Sequence, residues 1–332
     1  MPTELSPLVE QRPGARRPSA WSSLSAPALP TCRVRPLVML MSDLRGFASL
    51  CERTPPDTVH SMLQRYLLAM AAEIDAVGGA LNDLHGDAIV AVFEQDGAGL
   101  ERAVAAAIGM QNALECLNLD HRALGLPILE MGIGVHAGEV ALGSLGPPGF
   151  SRPSLVGQHA NLTSRIESFS VGGQVLISHA VAGPLMDRLV VHDAFPATPK
   201  GFEHEVMVYD VAALGGAFGR ALLVPADELV SLPRPIEVAA RIVDGKQVVG
   251  PPLHGHILRL SHRRAELRLG RPLRGLTEIR LQICPELPGD WVYAKTVPGA
   301  QEGNAMFRFT ALPPRSRDRI DELVARPRDT SQ

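Results

Sequence analysis

At 332 residues, 45% of them apolar, the chain is long enough to bury two packed cores. A formal net charge of −3 argues against generic nucleic-acid binding, and an aromatic share of 4% leaves little for a base-stacking platform. The charge is uneven: from Ala221 onward 17 Lys and Arg stand against 13 Asp and Glu, leaving −7 on the rest, so two modules with different partners are expected.

The four cysteines (Cys32, Cys51, Cys116, Cys284) are scattered without a CxxC pair. That spacing disfavours a disulfide framework or a zinc site and fits a reducing cytoplasm. No apolar run approaches the roughly 18 residues of a membrane span, and the N-terminus lacks the apolar core of a signal peptide.

Residues 1–33, rich in Pro, Ser, Arg and Ala, read as a disordered arm. A strand is expected over 34–44, ending near Asp43, whose carboxylate at the tip of a buried strand calls for a positive partner. Residues 56–77 show helical spacing at Val59, Leu63, Tyr66, Met70 and Ile74, closed by Gly78-Gly79. "ALNDLHGDAIVAVF" reads as a β-hairpin turning at His85-Gly86-Asp87. An alanine-rich helix follows over 97–117, and "EMGIGVHAGEVALGSLG" reads as strand, turn, strand. "SLVGQHANLTSRIESF" leads into a helix, and "GQVLISHAV" and "HEVMVYDV" are strands before a Gly-rich break at 214–219. This density of mixed elements predicts an α+β fold with helices packed on one mixed, curved sheet.

From about residue 222 short β-like runs recur: "IEVAARIV", "GHILRLS", "AELRL", "TEIRLQI", "WVYAKTV" and "NAMFRFTAL". A charged helix over 318–325 closes the chain, and the spacing predicts a small β-barrel. The expected organisation is an arm (1–33), an α+β domain (34–213), a linker (214–225) and a barrel domain (226–328).

Asp43 and Asp87 both fall at strand tips, so the first strand lying beside the hairpin would bring the carboxylates together. Two carboxylates sharing one spot repel unless a divalent cation sits between them. The alternative is two independent surface aspartates, Asp being a common turn residue.

"SDLRGFASL", "GGALNDLHGDAIVAVF", "GIGVHAGEVALGSLG", "VGQHANLTSRIE", "GGQVLISHAV" and "PKGFEHEVMVYDV" follow in this order over 34–212. Together they resemble the class III adenylate/guanylate cyclase catalytic domain. The resemblance implies a ferredoxin-like core forming a head-to-tail homodimer with catalytic sites at the interface. Its substrate would be ATP, or GTP, converted to the 3′,5′-cyclic monophosphate and pyrophosphate with two Mg²⁺ or Mn²⁺ ions per site.

Carried over residue by residue, Asp43 and Asp87 match the metal-binding aspartates, and the carbonyl of Leu44 completes the metal shell. The Gly46-Phe47-Ala48 turn would offer amides to the terminal phosphates, with Ala48 replacing the family's Thr or Ser. Asn161 and Arg165, four apart on one helix face, match the transition-state pair from the opposite subunit. Lys200 in "PKGFEHEV" matches the triphosphate-binding lysine. Asp83 and Ser154 occupy the two purine-reading positions, where adenylate cyclases carry Lys and Asp or Thr. A carboxylate at Asp83 suits guanine better than adenine, so purine choice stays open. His85 and His136 flank the motifs and are read as neutral packed or surface histidines. The alternative to an enzyme is a weak or inactive cyclase-fold scaffold whose barrel binds a ligand or protein partner.

The C-terminal part resembles a PilZ domain through "GHILRLSHRRAELRL", "TEIRLQI" and "NAMFRFTAL". Of that family's D/NxSxxG motif Ser261 is present, while Arg259 and Arg264 replace the flanking positions. No RxxxR precedes it, since Arg234 and Arg241 are seven apart. The arginine cluster over 259–274 is expected to be a solvated strand face, or else an anion or partner surface.

Overall fold

A computed structural model describes residues 32–325, apart from 148–150, 224–226, 245–246, 274, 284–290, 298–299 and 302. The expected N-terminal arm lies outside the described residues except for Cys32 and Arg33, and Arg33 already belongs to a strand.

The first unit runs β1 (Arg33–Leu44), α1 (Phe47–Arg53), α2 (Pro56–Asp75), β2 (Ala80–His85), β3 (Ala88–Glu94), α3 (Gly99–Ala123) and β4 (Met131–Leu145). It continues with β5 (Arg152–Val156), α4 (Gln158–Phe169), β6 (Val175–Ser178), α5 (His179–Ala182), β7 (Leu189–Ala197), β8 (Val206–Leu214) and β9 (Arg220–Ala221). The strands form one mixed sheet in the order β2-β3-β1-β4-β6-β8-β7, with β5 paired to β4 and β9 to β8. β1 is antiparallel to both β3 and β4, and β4 is parallel to β6.

β1 is buried on both faces, which is why its apolar run is nearly continuous. Val38 and Leu40 pack against α2 and α3, while Leu37 and Met39 pack with Val140 and Ala160 on the α4 side. Helices therefore cover both faces of the sheet. In α2 the buried stripe is Met62, Tyr66, Met70 and Ile74, so Met62 takes the place expected of Leu63. α3 is buried all round from Ala103 to Met110 and extends past the expected end to Ala123.

Several elements differ from the sequence expectation. "MGIGVHAGEVALGSL" is one 15-residue strand, not strand, turn, strand. Its glycines serve close packing: a Cβ on Gly134 would lie 2.3 Å from the Glu167 amide nitrogen, and one on Gly138 would lie 2.3 Å from the His159 ring. α1, β5, α5 and β9 are short, and β7 alternates in burial along nine residues without a continuous apolar run, so none of the five is marked as an element in the sequence.

The second unit is a closed six-stranded barrel of β10 (Val230–Asp244), β11 (Gln247–Leu260), β12 (Arg264–Leu269), β13 (Glu278–Leu281), β14 (Val292–Val297) and β15 (Ala305–Ala311). Val238, Ile257, Leu267, Ile279, Phe307 and Phe309 fill it, together with Ile320 of the closing helix α6 (Pro314–Ala325). Among the described residues no helix is long and apolar enough to cross a membrane.

The arginines of the 259–274 stretch that ion pairs engage are not a solvated face. Arg259 pairs with buried Glu266, Arg264 with Asp227 at 2.9 Å, and Arg263 with Glu115 of α3 at 2.9 Å. Ser261 closes the β11–β12 turn, its Oγ accepting from the Arg264 amide at 2.8 Å.

Between β4, α4 and β6, buried His136 shares hydrogen bonds with Ser178 Oγ at 2.7 Å and His159 Nδ1 at 2.8 Å. Burial, and then His159, push its pKa down from 6.5 to about 4. As pH falls below about 6.5 the unfolded chain binds a proton that folded His136 refuses, so stability is lost progressively down to about pH 4. The loss between pH 7 and pH 5 should be about 2 kcal/mol. Thermal unfolding across that range should therefore show a steeper fall in Tm for the natural chain than for His136→Gln; equal slopes would contradict this assignment.

Candidate active site

The β1–β3 pairing runs from Leu37↔Glu94 to Ser42↔Ile89, so the end of β1 lies against the β2–β3 turn. The Leu44 amide donates to Asp87 Oδ2 at 3.1 Å. Asp43 stands beside Asp87, and the Asp87 carboxyl is pushed up to about 6, first by burial and then by the negative charge of Asp43. The convergence expected from the sequence is present within one chain. Tyr66 lies beneath, its hydroxyl 3.2 Å from Met131 Sδ, and burial raises its pKa with smaller contributions from Asp87 and Asp43.

Gly46 follows at φ +70°, a left-handed conformation that glycine adopts without a Cβ penalty. It is the N-cap of α1, so Phe47 and Ala48 form the first helical positions, where backbone amides lack intrahelical acceptors.

Asn161, Arg165 and Lys200 form a second group. α4 presents the first two on its exposed side, and with Gln158, Lys200 and Phe202 they line an open cleft of about 680 Å³. Neither Asp43 nor Asp87 lines that cleft. Within one chain the sequence-derived site residues therefore gather into two separate clusters. Ser154 sits on β5 opposite Gly143, and Asp83 on β2. The Asp83 carboxylate accepts from the Leu84 amide at 2.8 Å and pairs with exposed His85 at 2.8 Å.

Two residues absent from the sequence reading connect this region. Arg45 reaches Asp43 at 3.7 Å and also donates to the Glu167 carboxylate, the Glu167 carbonyl at 3.0 Å and Ser170 Oγ at 2.8 Å. Its guanidinium lies over Gly132, where a Cβ would come within 2.1 Å of Nη2. The Glu167 carboxyl is pushed up to about 7 by burial, with Arg45 opposing the shift. Arg45 thus ties the tip of β1 to the C-terminal end of α4. The available signal was an arginine directly inside the Asp43–Gly46 motif, which spacing alone assigns to no role.

A model of the adenylate and guanylate cyclase catalytic domain matches residues 30–209 and stops before the barrel. An adenylate cyclase of Anabaena cylindrica is 36% identical over 192 residues, covering 54% of this chain and 37% of that protein. The match covers 27% of an adenylate cyclase 1 of Rhizobium meliloti, so the chain spans well under half the length of these relatives. The crystal structure of the guanylyl cyclase Cya2 aligns with a TM-score of 0.55 at 38% identity, covering 57% of this chain and 98% of that one. The adenylyl cyclase CyaB from P. aeruginosa aligns at 0.53 and 29% identity, covering 55% and 95%.

The repulsion between Asp43 and Asp87 makes a direct prediction. Asp87→Asn keeps an acceptor for the Leu44 amide and removes one negative charge. Discounted for the half-exposed position, the gain should be about 1 kcal/mol in metal-free buffer, or roughly 2–4 °C in Tm. A fall in Tm under chelator would show that the two carboxylates do not oppose each other.

Proposed function

The chain belongs to the adenylate and guanylate cyclase catalytic domain family, and we propose that it converts a purine nucleoside triphosphate, ATP first, into its 3′,5′-cyclic monophosphate and pyrophosphate. The observation that carries the reading is the convergence of Asp43 and Asp87 at two strand tips, at an electrostatic cost a scaffold has no reason to keep. Two carboxylates beside a strand-end carbonyl, that of Leu44, suit Mg²⁺ or Mn²⁺, which take few protein ligands and complete their shells with substrate phosphates. Two such ions, when bound, supply Lewis acidity at the 3′-hydroxyl and neutralise charge on the departing pyrophosphate.

The chain's own residues do the positioning. The turn at Gly46 and Phe47 offers amides to the β- and γ-phosphates, and Lys200 adds a cation to the same triphosphate. Asn161 orients the ribose so that its 3′-oxygen faces the α-phosphorus. That oxygen forms the new P–O bond as the bond to pyrophosphate breaks, and its proton leaves to solvent. Arg165 donates to the α-phosphate oxygens, whose charge grows in the transition state. A head-to-tail homodimer brings the Asp43/Asp87 cluster of one protomer to the Asn161/Arg165/Lys200 cleft of its partner, and the separation of the two clusters within one chain supports that arrangement.

Asp83 and Ser154 are the residues assigned to the purine edge. A second reading, a catalytically weak scaffold, draws on Asp83 standing where the adenylate enzymes carry a lysine. The barrel's likeness to PilZ rests on sequence alone, and a ligand or protein partner there is a proposal of the same rank.

Incubation of the purified chain with Mn²⁺ and ATP or GTP, followed by chromatography, should yield a cyclic monophosphate; no product from either nucleotide overturns the enzyme reading. Asp43→Ala and Arg165→Ala chains, each inactive alone, should complement when mixed. Random exchange makes about half the dimers mixed, each with one intact site, so roughly a quarter of natural activity should return. Subunit exchange without recovered activity would overturn the shared site.

Asp83→Lys replaces an acceptor with a donor suited to adenine N1. A mispaired polar edge costs about 1–3 kcal/mol, so the ATP/GTP ratio of kcat/KM should rise by about one to two orders of magnitude. An unchanged ratio would mean that Asp83 does not face the base.

A further inference from the structure

The barrel docks on the C-terminal end of α4, the helix that carries Asn161 and Arg165, and it does so with buried cations. Lys295 lies on β14 and is 4% exposed although it points away from the barrel core. Its Nζ donates to the Ser168 carbonyl at 2.6 Å and contacts the Phe169 carbonyl at 3.4 Å, with Glu278 of the neighbouring strand at 3.3 Å. Arg308 of β15 donates to the Gly172 carbonyl, and Arg263 reaches Glu115 on α3 at 2.9 Å.

The last carbonyls of a helix have no intrahelical donors and carry the negative end of its dipole, so a cation there both satisfies and stabilises them. α4 has no basic residue in its own last turn. The donor it lacks arrives from a strand 126–127 residues later. Burying an ammonium is costly, and Lys295 is accordingly lowered from its ordinary pKa by burial, partly offset by Glu278.

The same helix end is also held by Arg45, through Glu167 and Ser170. Arg165 is three residues from Ser168, less than one turn, and Asn161 one turn further back. A helix of 12 residues moves as a rod at this scale, so whatever fixes its C-terminal end fixes where those two side chains stand.

We propose that Lys295 is a positioning residue for the reaction: through the carbonyls of Ser168 and Phe169 the barrel sets the placement of α4, and so of Asn161 and Arg165 in the site. The proposal rests on the cyclase reading for its kinetic consequence and on geometry alone for the clamp. It makes the barrel a working part of the site, distinct from any ligand the barrel itself binds.

The test uses the full chain with Lys295→Met, which keeps the side-chain bulk and removes the donor, and Lys295→Arg, which keeps charge and donors. Amide hydrogen exchange is measured in metal-free, nucleotide-free buffer, and kcat and KM with Mn²⁺ and the better nucleotide. For Lys295→Met, exchange over 165–173 should quicken by about tenfold while β11, β12 and β15 keep their rates. Its kcat should drop by about tenfold or more with KM little changed, since transition-state alignment is lost before ground-state binding, and Lys295→Arg should recover most of the loss.

Unchanged exchange in α4, exchange quickened throughout the barrel, or an unchanged kcat each overturn the proposal. If the natural chain makes no cyclic product, the exchange pattern decides the clamp by itself, and the cyclase reading fails separately. Should Lys295→Met not fold, Lys295→Gln, uncharged and shorter, is read by the same criteria.

Discussion

The close seating of α4 on β4 is the constraint from which the site follows. Gly132, Gly134 and Gly138 share one face of β4, at alternate positions broken by His136, and side chains there would meet Arg45, Glu167 and His159 at 2.1–2.3 Å. With the face clear, the helix backbone lies directly on the strand. His136 can then stack with His159, ring centroids 5.1 Å apart, and Arg45 can pass beneath to Glu167. At Gly134, where the contact is the helix backbone itself, a larger residue would lift the helix and move Asn161 and Arg165 with it.

That seating concentrates charge at one end of the helix. Arg45, Glu167 and Lys295 are all largely withdrawn from water, and each would be expensive alone. Together with the terminal carbonyls of α4 they form a compact arrangement in which Arg45 Nη2 and Lys295 Nζ have acceptors, while Arg45 Nε has none. Glu167 and Asp87 illustrate two routes to a raised carboxyl. Burial dominates in both, but a cation opposes the shift at Glu167, whereas a second carboxylate adds to it at Asp87. The first is a structural joint; the second is a place that gains by taking up positive charge.

Local patterns carried much of the fold into the sequence. The alternating and continuous apolar runs marked β1, the β2–β3 hairpin and the barrel strands, because burial on one or two faces writes itself as a period. The glycines of β4 misled for a physical reason. Glycine most often signals a turn, and only the helix lying across the strand shows that these positions are needed for contact. Asp43, Asp87, Asn161, Arg165 and Lys200 were legible because each stands in a short motif. Arg45, Glu167 and Lys295 were not, since their meaning lies in partners 122–127 residues away. An arginine, a helix glutamate and a strand lysine look like ordinary surface residues until the tertiary fold removes the water.

The same logic reinterprets the charge asymmetry along the chain. A basic C-terminal part and an acidic remainder suggested separate partners, yet part of that complementarity is used between the two units themselves. Arg263 meets Glu115, Arg308 meets the Gly172 carbonyl, and Lys295 meets the end of α4. These buried cations and carbonyls act beside an apolar contact, Leu276 against the cluster that holds Leu162 and Ile166, and add what apolar surface does not supply. An apolar seam tolerates sliding, because its energy is proportional to area and insensitive to direction. A charged donor facing particular carbonyls fixes both distance and angle, and leaving it unpaired in a dry interface costs more than the contact gains. An interface of this kind has few alternative registers, which is what the proposed roles of Asn161 and Arg165 require of the surface behind their helix.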